Sequence, residues 1–175
     1  MLGLGKMSKC CCFPLAGGCI IGIMIHIGFC ISAIFSHGEE YRILLIITNA
    51  VLASLLTLGL TLKNYIIFCI AAISVAFILA NYIVSFILVF ISLFVKDKYT
   101  LESKIFTTVI VFIMMFTTTV FFNIYLSIFK VMKAGGTGWE FKNYMEIESE
   151  KQLDKREEKK DAKKEESGTY SDYKA

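Results

Sequence analysis

Few residues of this chain could do chemistry, and most of those lie in apolar surroundings. Within the long uncharged runs only His26 carries a side chain that titrates near neutral pH. Asn49, Asn81 and Asn123 each interrupt a later apolar run, and Thr117-Thr118-Thr119 lies in the last of them. Together these could form a polar track for a proton or a small solute. Channels and pumps usually place acidic or basic residues against an intramembrane cavity, and none is present in these runs. The residue types therefore favour hydrogen bonds between helices, each worth about 0.6–2 kcal/mol. His26 fits that role as a neutral imidazole met by an Asn or Thr. No His/Asp/Glu or Cys/His set suitable for catalysis is spaced along the chain, so an enzyme is not expected, nor any cofactor.

Two further motifs flank the apolar region. Cys10, Cys11 and Cys12 follow Lys9 immediately before the first run. Juxtamembrane cysteines beside a basic flank are typical acceptors for reversible palmitoylation. Adjacent thiols lack the spaced pairs of a zinc site, and no nearby His completes one, so no metal is expected. Leu2 in place of Gly argues against myristoylation. Downstream, Tyr144-Met145-Glu146-Ile147 has the Tyr-x-x-apolar form of a clathrin-adaptor sorting signal. Such a signal works as an accessible, extended peptide.

These residues must be positioned by four apolar runs, at 13–36, 43–62, 65–95 and 105–129, free of Asp, Glu, Lys and Arg. Each reaches the ~20 residues a helix needs to cross a hydrocarbon core of about 30 Å. The backbone in lipid must satisfy itself, and runs apolar on every side and of this length suit helices rather than barrel strands. The expected fold is all-α: an integral membrane four-helix bundle with a charged, largely disordered C-terminal tail. Residues 1–12 form a Cys-rich N-terminus, 13–129 the transmembrane domain and 130–175 the tail. The first run is too long for the apolar core of a cleavable signal and is expected to remain as span one. The third uncharged run, 64–95, is 32 residues long and predicts a helix that tilts or projects past the membrane.

The 175 residues are 56% hydrophobic and carry a formal charge of +3. Residues 1–138 carry nine Lys/Arg against four Asp/Glu, and residues 139–175 nine against eleven. Neither segment offers the clustered basic face that nucleic acid requires. The six cysteines fall beside or inside the spans, not in paired positions in external loops, so a disulfide framework is not expected. With both termini cytoplasmic, Lys6, Lys9, Lys63, Lys130, Lys133 and Lys142 lie inside, against Arg42, Lys96, Lys98 and Lys104 outside. That distribution follows the positive-inside rule.

Small residues predict where backbones approach. Gly18 and Gly22 are spaced by four in span one, and Ala72, Ala76 and Ala80 repeat the spacing in span three. Both stripes suit close helix packing, within one bundle or between copies or other membrane proteins. After a Gly135-Gly136-Thr137-Gly138 hinge, Trp139 and Phe141 are suited to the membrane surface. Residues 146–166 are almost wholly charged, with Lys151, Lys155, Lys159 and Lys163 every fourth residue. They read as a solvated, transiently helical segment lacking a coiled-coil seam. The last residues, 167–175, carry Ser, Thr and Tyr open to phosphorylation.

The string Lys9-Cys10-Cys11-Cys12-Phe13-Pro14-Leu15-Ala16-Gly17-Gly18-Cys19-Ile20-Ile21-Gly22 resembles the N-termini of a family of small arthropod four-span membrane proteins. Some members of that family are linked to septate junctions. The layout is also similar to the lysosome-associated four-span transmembrane family, with its clustered N-terminal cysteines and tail sorting signals. The resemblance covers the N-terminal motif and the span layout. It implies a non-enzymatic protein of the lipid bilayer that acts in lateral assembly at cell junctions, or in trafficking to endosomes or lysosomes. The clathrin adaptor would then be a partner. The tail has no Pro-Pro-x-Tyr motif, so the lysosomal family's ubiquitin-ligase contact is not implied. A small transporter or channel subunit using the polar track is the alternative.

Overall fold

A computed structural model of the chain describes residues 4–10, 12–35, 39–95 and 100–169. A two-stranded hairpin, β1 (Lys9–Cys10) and β2 (Phe13–Pro14), precedes five helices. These are α1 (Leu15–Ile34), α2 (Glu39–Leu62), α3 (Tyr65–Ser92), α4 (Leu101–Lys133) and α5 (Tyr144–Thr169). Four of them, α1 to α4, are long and apolar enough to cross a membrane. Their outward faces carry Met24, Phe77, Leu88 and Phe116, all more than 60% exposed. A surface this apolar is matched to hydrocarbon and would drive association in water. The chain is an integral membrane protein with an all-α four-helix bundle.

Each boundary has a local cause. Pro14 caps α1 in an extended conformation; its fixed φ is compatible with a helix start. The α2–α3 turn rests on two residues. Lys63 adopts φ 49°, and Asn64 N–H returns to the Gly59 carbonyl at 3.2 Å. That bond closes α2 as a Schellman motif. The Asn64 side chain then accepts the Ile66 N–H at 2.9 Å and opens α3. A left-handed lysine is strained where glycine would not be. Lys63→Gly is therefore expected to raise stability by up to about 1 kcal/mol, read as a higher unfolding temperature in detergent at unchanged helix content.

The α3 and α4 ends differ from the sequence expectation. Helix α4 begins at Leu101, not at 105, and runs for 33 residues, about 50 Å. Lys104, expected in an external loop, lies in its first turn and is buried. Its ammonium donates to the carbonyls of Ser92 and Val95 at 2.8 and 2.7 Å. A cation on the carbonyls at and just past the end of α3 is favoured by the helix dipole as well as by the bonds themselves. Likewise α2 begins at Glu39 and takes Glu39 and Glu40 out of the expected loop. Residues 37–38 and 96–99 of the expected connections lie outside the described residues.

The helices pack as a ring: α1 on α2, α2 on α3, α3 on α4 and α4 on α1. Burial is uneven along it. Leu15 and Cys19 of α1, Leu56 of α2, Phe68 of α3, and Tyr125 and Ile128 of α4 are all inaccessible. All lie towards the end where α1 begins and α4 stops. The opposite half is loosely filled, and there the α1–α2 and α3–α4 pairs leave a cavity between them.

Candidate functional site

His26 sits where the tight half of the bundle gives way to the open half. Asn49, one helix away, is 7% exposed and donates from Nδ2 to its own helix at the Leu45 carbonyl, at 2.8 Å. That bond turns Oδ1 of Asn49 toward His26 Nδ1, 2.8 Å away. Nδ1 must then carry the proton, and Nε2 is left as the acceptor. The Tyr125 hydroxyl lies 3.3 Å from Nε2 and supplies a donor. Phe121 completes the cluster, with its ring centroid 6.2 Å from His26 and 5.9 Å from Tyr125. The result is a neutral imidazole whose two nitrogens are both engaged, joining α1, α2 and α4.

A cavity of about 360 Å³ opens beside this cluster. Its lining is mostly aliphatic and aromatic, but Thr48, Tyr82 and Thr117 bring hydroxyls from three helices that make no hydrogen bond among the described residues. Asn81 and Asn123 do not join it. Asn81 faces outward and bonds back to the Phe77 carbonyl at 2.9 Å. Asn123 lies near the opposite end of α4 and accepts the Gly5 N–H at 2.7 Å. Of the expected track His26 and Asn49 bond to each other, and Thr117 and Thr118 line the same cavity. Thr118 and Thr119 also bond within their own helix, to Met114 and Met115. Such i−4 bonds are the local alternative to bonding between helices.

Asn49→Leu leaves the His26 N–H without an acceptor. Measured interhelical bonds in membranes suggest a loss of about 0.6–1.7 kcal/mol. The double change with His26→Leu should cost less than the two single costs combined, because the orphaned donor is removed too. Unfolding in mixed micelles measures that cycle.

The glycines of α1 each meet a close neighbour. A Cβ on Gly18 would lie 2.8 Å from Cys10 of β1, and one on Gly22 would strike the Tyr125 hydroxyl. Their close approach is to β1 and α4, not to the alanine stripe of α3. Of that stripe Ala72 is buried, Ala76 is half-buried and Ala80 is exposed. The buried small pair is Ala71 and Ala72. Cys10 pairs with Phe13 across the hairpin and is half-buried beneath α1, whereas Cys12 is exposed at the turn. Cys11 lies outside the described residues. Of the two described lipidation candidates only Cys12 presents an open thiol.

The two ends of the chain are joined. Besides Gly5 on Asn123, the Lys130 ammonium donates to the Leu4 carbonyl at 3.0 Å. The Gly138 carbonyl accepts the Ala16 N–H at 2.9 Å, satisfying a first-turn donor of α1. Gly138 has φ 80° and is held by Glu140, whose carboxylate accepts the N–H groups of Thr137 and Gly138 and the Thr137 hydroxyl. Partial desolvation pushes the Glu140 carboxyl up, but those N–H and O–H donors, with its own N–H, outweigh it and hold the group below its ordinary value near 4.5. A depressed carboxyl contributes its stability above the ordinary value and loses it as pH falls through the folded one. Protection of the Gly138 amide against exchange should persist near neutral pH and fall below about pH 4.5. Glu140→Gln should weaken it throughout and remove that acid step.

The tail helix has a local cause at its start. Asn143 Oδ1 accepts the N–H groups of Met145 and Glu146, and Glu146 accepts the Asn143 N–H at 2.8 Å. This reciprocal capping box starts α5 at Tyr144. The Tyr-x-x-Ile tetrapeptide is thereby helical rather than extended. Ile147 is 7% exposed and packs into the core cluster with Val131, while the Lys130 ammonium lies 5.3 Å from the Tyr144 ring centroid. Both side chains that an adaptor would read are engaged in docking α5. The residues that sequence inspection missed are Tyr125 and the Asn143/Glu146 pair. The second was legible as Asn-x-x-Glu; the first needed the helix pairing. Comparison with protein families, curated proteins and solved structures gave no match.

Proposed function

We propose that this chain is a non-enzymatic multi-pass membrane protein that gathers partners at the membrane, in lateral assembly of the cell-junction type or in endosomal and lysosomal trafficking. Helix α5 carries the proposal. It is seated on the bundle through Tyr144 and Ile147, and every side chain from Glu148 to Lys160 is exposed. A helix polar on all sides buries no face of its own and leaves its whole circumference to a partner. The lysine distribution favours a cytoplasmic location for that end. Lys104, which counted for the opposite side, is buried as a helix cap. Acylation at Cys12 would add a second membrane anchor beside the hairpin. Adaptor binding at Tyr144 and Ile147 would require the first turn of α5 to unwind.

Tagged full-length protein in a polarised epithelium tests this. Signal at lateral borders would support junctional assembly, and intracellular puncta would support trafficking. A chain ending at residue 143 that folds and distributes like the full chain would refute the role given to α5. The cavity beside His26 favours a second function, a small transporter or channel subunit. Proteoliposome flux abolished by His26→Ala would support it, and flux indifferent to that change would count against it.

A further inference from the structure

The end of α4 and the start of α5 enclose a cleft of about 590 Å³ in which lysines dominate. Lys130 and Lys133 enter from α4, Lys151 and Lys155 from α5, and the one carboxylate is Glu148, leaving an excess of three positive charges. The spacing follows from helix geometry: three and four residues apart, each pair lies on one face.

Helix C-termini ordinarily satisfy such cations with their own carbonyls. Here those carbonyls are largely taken. Lys130 and Met132 accept from Ala134 and Gly135, Val131 accepts from Gly136, and Ala134 accepts from Lys151. Lys133 and Lys155 have neither a hydrogen bond nor an ion pair among the described residues, and Lys130 and Lys151 retain further N–H donors. Glu150, beside Lys151 in the sequence, is paired with Lys142 at 2.7 Å. The cleft thus offers ammonium groups in excess, with Glu148 as the one carboxylate lining it.

Its position limits the occupant. Lys133 ends the last membrane-crossing helix, and Trp139 and Phe141, both more than half exposed, follow within eight residues of it. Aromatic residues of this kind mark the headgroup level of a bilayer. A cluster of lysines directly beside a span recognises anionic lipid. We propose that this cleft binds the phosphorylated headgroup of an anionic phospholipid, with more than one phosphate preferred because the excess charge exceeds what one phosphodiester neutralises. The bound headgroup would bridge α4 and α5 and fix the angle at which α5 leaves the membrane.

Native mass spectrometry of the detergent-solubilised full chain is the test, with phosphatidylinositol bisphosphate, phosphatidylserine and phosphatidylcholine offered separately. Bisphosphate adducts should persist where phosphatidylcholine adducts do not, with phosphatidylserine between. The pair Lys133→Gln and Lys155→Gln should lower bisphosphate occupancy about tenfold. The pair Lys159→Gln and Lys160→Gln removes the same charge further along α5 and should leave it within about twofold. Equal loss in both pairs would overturn the cleft in favour of diffuse attraction to the tail. Equal retention of all three lipids would overturn the headgroup preference. Soluble inositol trisphosphate binding as tightly as the lipid would overturn the membrane source and leave a free-phosphate site. Unchanged helix content in each variant keeps a folding defect from standing in for lost binding.

Discussion

Phe68→Ala is expected to destabilise the bundle by about 3 kcal/mol, close to the lower end of the range for burying and then deleting an aromatic ring. Phe68 is wholly inaccessible, and its ring lies over Gly59 so closely that a Cβ there would come within 2.8 Å. That glycine sets the separation of α2 and α3, and the ring fills it. In water, deletion would forfeit both transfer free energy and contacts. In lipid the unfolded reference is itself apolar, so the transfer contribution shrinks and the unfilled volume remains. Phe77→Ala, on the same helix, is the internal control. Phe77 is 69% exposed and should change stability by no more than about 0.5 kcal/mol. Titration with a denaturing detergent, followed by circular dichroism, compares the two. Equal losses would refute the placement of α3 in the ring.

Gly22→Leu should be nearly as damaging, at about 3 kcal/mol, the upper end of the overpacking range. The first added carbon already meets the Tyr125 hydroxyl and comes within 3.4 Å of Phe121. Tyr125 is inaccessible and cannot swing aside without displacing the inner half of α4. It would also leave Nε2 of His26 without its donor. Gly28→Leu, six residues on in the same helix, has the opposite expected sign. Nothing lies within 4 Å of a Cβ there, so relief of glycine's helix penalty should raise stability by up to about 1 kcal/mol. Opposite shifts in the midpoint of the same titration would establish that α1 meets α4 at Gly22.

Span number and the all-α architecture were legible because an uninterrupted apolar run of this length has few other uses. The partners of the small residues were not. Gly18 and Gly22 signal a close approach without naming the neighbour, and the neighbours proved to be Cys10, Tyr125 and Phe121. For the tail, charge spacing pointed to the helical segment, but not to the three local devices at its start: the glycine-terminated end of α4, Glu140 over the turn, and the Asn143/Glu146 box. The polar track failed for a geometric reason. Residue 49 comes early in its apolar run, 81 at the middle and 123 late in its own, so the helices put them at different depths and on different faces.

The bond from the Ala16 N–H to the Gly138 carbonyl has a consequence for biosynthesis. The first span emerges from the ribosome long before residue 138 is translated. Its opening turn therefore waits for that acceptor until residue 138 is made, and a message truncated directly after the fourth span would yield a protein that inserts but never completes the first turn of its first helix.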